Sequence, residues 1–169
     1  MKRILLVLLA MLVVAGPAAP VMAKPALPSW RDQHPWSTEV ATVTIGNVTI
    51  QAEIADTSPL QTRGLGYRDG LDPGTGMLFE FGSAAPQSFW MKGMRFCLDI
   101  IWIERGEITG AAQSVCPIPN ATDAELPRYA SGEAVSFVLE VAAGTMAKQG
   151  WVTGTTVRID LPPSAGRSQ

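Results

Sequence analysis

Alternation of apolar and polar positions is clearest between residues 39 and 55. Two β-branched runs, residues 40–45 and 48–54, are separated by Gly46-Asn47, which predicts a tight hairpin. In the second run Val48, Ile50, Ala52 and Ile54 share one face and Thr49, Gln51 and Glu53 the other, so one side is expected on a core and the other in water. Thr57-Ser58-Pro59 then places a hydroxyl at a helix N-cap and proline at the first helical position, while Gly64 and Gly66 limit the helix to little more than two turns. A glycine-rich loop (68–76), a strand (77–81), a loop (82–87) and an extended stretch (88–94) follow.

Residues 98–103 are apolar on both faces apart from Asp99, the pattern of a strand buried from both sides. Residues 104–107 turn the chain and 108–115 run back beside it. A turn centred on Gly106-Glu107 sets Cys97 directly across from Cys116, and a disulfide is expected there. A proline-bearing loop reaches residue 128. A strand (135–141), at most a short helix (144–149) closed by Gly150, and a last strand (155–161) complete the pattern. Short strands, glycine turns and two small helical pieces predict a mainly-β, compact sandwich or barrel-like single domain.

The first residues read as a targeting segment. Met1-Lys2-Arg3 is basic, residues 4–15 are apolar but too short for an ordinary membrane span, and Val21-Met22-Ala23 resembles a cleavage site. The expected organisation is a signal peptide (1–23), a linker or extended arm (24–38) with Trp30, Trp36 and the chain's one histidine, His34, the domain (39–161) and a disordered tail (162–169). An oxidising destination, periplasmic or secreted, agrees with an even pair of cysteines. Removing Lys2 and Arg3 takes the formal charge from −2 to −4, which does not describe a nucleic-acid surface. No membrane span is expected after cleavage.

An ionised carboxylate inside an apolar strand must find a cation, a set of N–H donors or a proton. Asp99 is such a residue, and Glu140, after Phe137-Val138-Leu139, is a second. The cations available to Asp99 from the preceding segments are Arg63, Arg68, Lys92 and Arg95. Trp90 shares a face with Lys92, offering a stacking surface for a sugar or planar ligand. The candidate pocket is therefore Arg63, Arg68, Trp90, Lys92, Asp99 and Glu140. Against it stands a structural reading in which Asp99 ties down loop N–H groups, Glu140 caps the Gly144 segment and Trp90 is core.

Neither a phosphate loop, a G-x-S-x-G elbow, a C-x-x-C pair nor a zinc-ligand set occurs, so no cofactor and no metal is expected. Three functions compete. The leading one is a binding or accessory domain for a small anionic molecule or glycan. The second is an envelope carbohydrate-acting hydrolase or lyase using Asp99 or Glu140, and the third a ligand-free interaction scaffold.

Arg63-Gly64-Leu65 with Arg68, Gly76-Met77-Leu78-Phe79 with Phe81, Phe89-Trp90-Met91-Lys92, Leu98-Asp99-Ile100, Tyr129-Ala130-Ser131, Val138-Leu139-Glu140 and Gly144 resemble, in order and spacing, the domain of unknown function 192 family. The resemblance runs from about residue 40 to 160. It implies a compact mainly-β domain, often exported, with no established activity and with polar positions at Arg63, Arg68, Lys92, Asp99 and Glu140. The chain departs from the family pattern at Gly66, usually methionine, at Gly93, usually asparagine, and at Cys97, usually proline.

Overall fold

The computed structural model describes Ser37 and residues 39–163. The segment expected to be a signal peptide and almost all of the expected arm, including Trp30, His34 and Trp36, lie outside the described residues, as does most of the expected tail.

The domain is mainly β. Strands β1 (Val40–Ile45), β2 (Val48–Ala55), β3 (Thr75–Phe89), β4 (Leu98–Glu104), β5 (Glu107–Val115), β6 (Tyr129–Ala142) and β7 (Val157–Asp160) form one seven-stranded sheet. Its order is β5-β4-β6-β3-β2-β1-β7. Helix α1 (Ser58–Arg63) carries the crossover from β2 to its parallel neighbour β3, and α2 (Thr145–Gln149) follows β6. The sheet curls into a half-barrel. Its two edges meet at one corner, where Glu107 bridges Thr156 and the Ile108 N–H donates to the Thr155 carbonyl at 3.0 Å.

Curling gives the sheet an inner and an outer face, each with its own apolar core. Val43, Ile45, Ile54, Leu78, Ile101, Ile103, Leu139 and Trp151 fill the inside. Leu65, Met77, Phe79, Met91, Ile100, Trp102 and Val138 pack outside, beneath α1 and the loops. Strand β4 lies between β5 and β6 and contributes to both cores, which is why its apolar residues do not alternate. β1 and β2 pair around Gly46-Asn47 with Ile45 opposite Val48, the register that the alternation predicts.

Three elements differ from the sequence reading. β6 begins at Tyr129 rather than at residue 135, and β3 continues through 82–87 because this longer β6 than expected supplies partners as far as Phe89; sheet pairing overrides a stretch of glycine, serine, alanine and proline that favours a loop. The turn between β4 and β5 is centred one residue earlier, at Arg105-Gly106, with Glu104 opposite Glu107 and both central residues at positive φ. Those angles suit a type I′ hairpin.

Cys97 and Cys116 are nevertheless joined by a disulfide. Two irregularities in β5 reconcile the facts: the register shifts between Ile103/Ile108 and Trp102/Gly110, and again between Ile100/Ala112 and Leu98/Val115. Each shift adds one residue to β5, as a β-bulge does. Together they carry the ladder from the earlier turn to the cysteine pairing.

Candidate functional site

The six candidate residues do not all share one place. Along β4, Ile101 and Ile103 belong to the inner core, and Asp99 points with them. Along β6, Val138 belongs to the outer core and Glu140 points with it. Asp99 and Glu140 are thus on opposite faces of the sheet, so the pair of carboxylates that a glycoside hydrolase needs across one cleft is not assembled.

Asp99 is fully buried, and its carboxylate is engaged by backbone. Oδ1 accepts the N–H of Ser114 at 2.8 Å and of Gly144 at 3.2 Å, and Oδ2 accepts the N–H of Met146 at 2.9 Å. Ser114, at φ 52°, sits in the second bulge of β5, and Gly144 and Met146 open α2. One side chain thereby satisfies donors that the bulge and the helix start leave outside the regular ladder. The structure separates Asp99 from the pocket and gives it the role of tying down loop N–H groups.

The other five gather on the outer face, around α1. Phe89 packs edge-on against Phe79 with ring centroids 4.8 Å apart, and Met91 is buried. That alternation directs Trp90 and Lys92 outward. Across from them, α1 ends at Gly64, Leu65 inserts into the outer core, and the Tyr67 N–H donates to the Gly93 carbonyl at 2.7 Å, fixing the segment against the 92–93 turn. Between the two lies a cleft of about 540 Å³ lined by Ser58, Pro59, Thr62, Arg63, Tyr67, Trp90 and Lys92. Arg63, Trp90 and Lys92 line it directly.

Arg68 and Glu140 do not line that cleft. The Arg68 guanidinium forms two parallel bonds with Glu53, Nη1 to Oε1 at 2.5 Å and Nη2 to Oε2 at 2.6 Å. It opens onto a smaller depression of about 280 Å³ shared with Glu53, Leu71 and Thr75. Glu140 is 5% exposed, close to Gly64 and Phe79. Burial pushes its carboxyl up to about 8, against the opposing pull of the Arg68 charge. With Arg68 held by Glu53, the attraction does not offset the loss of water, and the balance favours the protonated carboxyl.

The charges around Trp90 complete the geometry. The Arg128 guanidinium carbon lies 3.8 Å from the indole centroid and Lys92 Nζ 5.1 Å from it, both within cation–π range. Lys92 is paired with Asp123 from the long loop, and both side chains are exposed. Arg95 pairs instead with Asp69 at 2.7 Å, away from the cleft lining. Three contributors escaped the sequence reading. Tyr67 and Arg128 stand among glycine and proline residues with no periodicity to orient them, and Glu53 sits on a strand face that alternation assigns to water.

A half-barrel with a cationic, aromatic cleft on its outer face is the class of domain this geometry defines. The chain belongs to the DUF192 family, an uncharacterised ACR family, whose model matches residues 41–159. Two solved structures share the fold. One, described as a "putative transcription regulator" from Sinorhizobium meliloti, is 28% identical, with a TM-score of 0.63 over 73% of this chain and 95% of its own. The other, a protein of unknown function from Novosphingobium aromaticivorans, is 26% identical, with a TM-score of 0.64 over 85% of this chain and 99% of its own. No curated protein shows significant similarity to the chain.

Proposed function

We propose that the protein is an exported binding or accessory domain that holds a small anionic, ring-bearing molecule such as an acidic sugar in the cleft between α1 and Trp90-Lys92. One observation carries the reading: a single cleft combines two aromatic side chains, Tyr67 and Trp90, with two cationic ones, Arg63 and Lys92. Aromatic rings contribute apolar contact with a sugar or planar ring, and the cations select a carboxylate. At about 540 Å³ the cleft falls within the ~300–1,000 Å³ typical of small-molecule sites. The Lys92–Asp123 pair does not oppose this. An exposed ion pair is worth only about 0–1 kcal/mol, so a ligand carboxylate can replace Asp123 at modest cost.

Export rests on the basic, apolar and small-residue succession of the first 23 residues and agrees with the disulfide. Mass spectrometry of the protein recovered from its own cell envelope should give a chain beginning at Lys24; recovery of an intact Met1 from the cytoplasm would reject it. Binding is tested by isothermal titration of the mature protein with galacturonate and with galactose. The acid should bind more tightly than the neutral sugar, and Trp90→Ala or Lys92→Ala should weaken it. Absence of binding by either sugar, or equal binding of both, would overturn the reading.

A further inference from the structure

The cleft does not end at Trp90. A second depression of about 300 Å³ adjoins it and shares two lining residues with it, Thr62 and Trp90. Its other walls include Gln61, Phe81, Gln87, Ser88 and Arg128, drawn from α1, from the distal half of β3 and from the end of the long loop. The indole of Trp90 lines both depressions. Each has a cation in contact range of that indole, Lys92 in the first and Arg128 in the second. The second depression also has polar side chains, Gln87 and Ser88, where a sugar's hydroxyl groups could exchange hydrogen bonds.

We infer that these are consecutive subsites of one groove, and that the ligand is an acidic oligosaccharide of at least two sugar units, one in the Arg63-Tyr67-Lys92 half and the next beyond Trp90, with its carboxylate on Arg128. This deepens the binding function proposed above and rests on it. The chemistry is specific in two respects. A single sugar acid engages only the larger half and leaves Arg128 stacked on Trp90, whereas a dimer spans the indole and meets both cations. A neutral dimer gains the aromatic contact without the charge-assisted bonds, which are the stronger ones. Arg128 is a positioning and specificity residue of the second subsite; its exposure means that its removal does not disturb the core.

The test compares galacturonate, digalacturonate and the neutral disaccharide lactose as titrants of the mature protein, wild type and Arg128→Ala. Digalacturonate should bind at least about tenfold more tightly than galacturonate, the worth of one added charged hydrogen bond. Arg128→Ala should remove most of that advantage while changing galacturonate binding far less, and lactose should not reproduce it. Near-ultraviolet circular dichroism of the variant checks that Trp90 keeps its surroundings. Equal affinity for monomer and dimer, or an Arg128→Ala effect shared equally by both, overturns the two-subsite groove while leaving the single-cleft reading standing. Failure of all three sugars removes both.

Discussion

Asp99 and Ser114 face each other across β4 and β5, with the Ser114 N–H donating to Asp99 Oδ1 at 2.8 Å. The serine occupies the extra position of a bulge, and the aspartate takes the N–H that the bulge withdraws from the ladder. The same carboxylate holds the first turn of α2 through Gly144 and Met146. One side chain therefore ties two segments, the β5 bulge and the start of α2, to β4.

Replacing Asp99 should damage stability far more than binding. Asp99→Ala leaves these donors, one buried and two part-buried, without an acceptor, at about 3–5 kcal/mol in urea unfolding. Asp99→Asn keeps one oxygen but turns an amide N–H₂ toward a backbone N–H, and about 1–3 kcal/mol is expected. Amide exchange should quicken at Ser114 and Met146. A loss of binding in Asp99→Asn without a fall in stability would contradict this role.

Glu140 titrates in the opposite sense to a paired carboxylate. Its carboxyl is raised from 4.5 to about 8 by burial, partly opposed by Arg68. Below pH 4.5 the folded and unfolded chains are both protonated and the group has no effect. Between 4.5 and 8 the unfolded chain alone releases the proton, so stability falls by about 1.4 kcal/mol per pH unit, and above 8 the loss levels off. Glu140→Gln should therefore gain on the wild type as pH rises through that window, read as the difference in urea midpoints at pH 4.5 and 8. Arg68→Ala should shift the window upward by removing the opposing charge, besides costing about 2–4 kcal/mol for the broken pair with Glu53. An unchanged difference between wild type and Glu140→Gln across this range would refute the raised titration.

The bridge between Cys97 and Cys116 closes a hairpin whose register is weakly specified. Thr109, Gly110, Ala111, Ala112, Gln113 and Ser114 offer no large apolar side chain to hold β5 in place. Reduction, or the Cys97→Ser/Cys116→Ser variant, should cost about 3 kcal/mol for a loop of this length. The loss should be local first, with faster amide exchange at residues 113–115 and little change at the Arg105-Gly106 turn. Alkylation followed by intact mass should find no free thiols before reduction. A reduced protein of undiminished stability would show that Asp99 alone fixes the register.

The same residues show what could be read from the chain. β-branched alternation and Gly46-Asn47 are local signals, and the first hairpin followed from them. An apolar β4 predicted burial on both faces, and the cysteine pairing was legible as a distance constraint. The turn beside it was misplaced by one residue because bulges depend on contacts formed after the sheet assembles. Asp99 drew attention as an anomaly, but its partners are backbone N–H groups, which have no identity in a sequence. Glu140 looked like its companion for the same compositional reason. One strand offset and a parity difference put them on opposite faces. Arg63, Trp90 and Lys92 could be selected as charged and aromatic residues near apolar strands, whereas Tyr67 and Arg128 arrive through loops that only tertiary structure orients.

Gly93 has a structural counterpart in Tyr67. Gly93 adopts φ 69°, a conformation that glycine accepts freely and asparagine tolerates better than other residues. Here the Tyr67 ring lies over it, and a Cβ on Gly93 would come within 2.9 Å of the ring. Tyr67 and the 92–93 turn are where the two sides of the cleft meet, and the ring fills space that a side chain at position 93 would take. Gly93→Ala should therefore destabilise through both backbone strain, about 1 kcal/mol, and collision with the ring, about 1–2 kcal/mol more. Tyr67→Ala removes the collision, so the double variant should lose less than the sum of the two single ones, with a coupling of about 1 kcal/mol in a double-mutant cycle. Gly93→Asn should retain more stability than Gly93→Ala yet displace Tyr67, which tyrosine ring resonances in an NMR spectrum would register. Strict additivity of Gly93→Ala and Tyr67→Ala would show that the ring yields freely and that the wall of the cleft is not set by this contact.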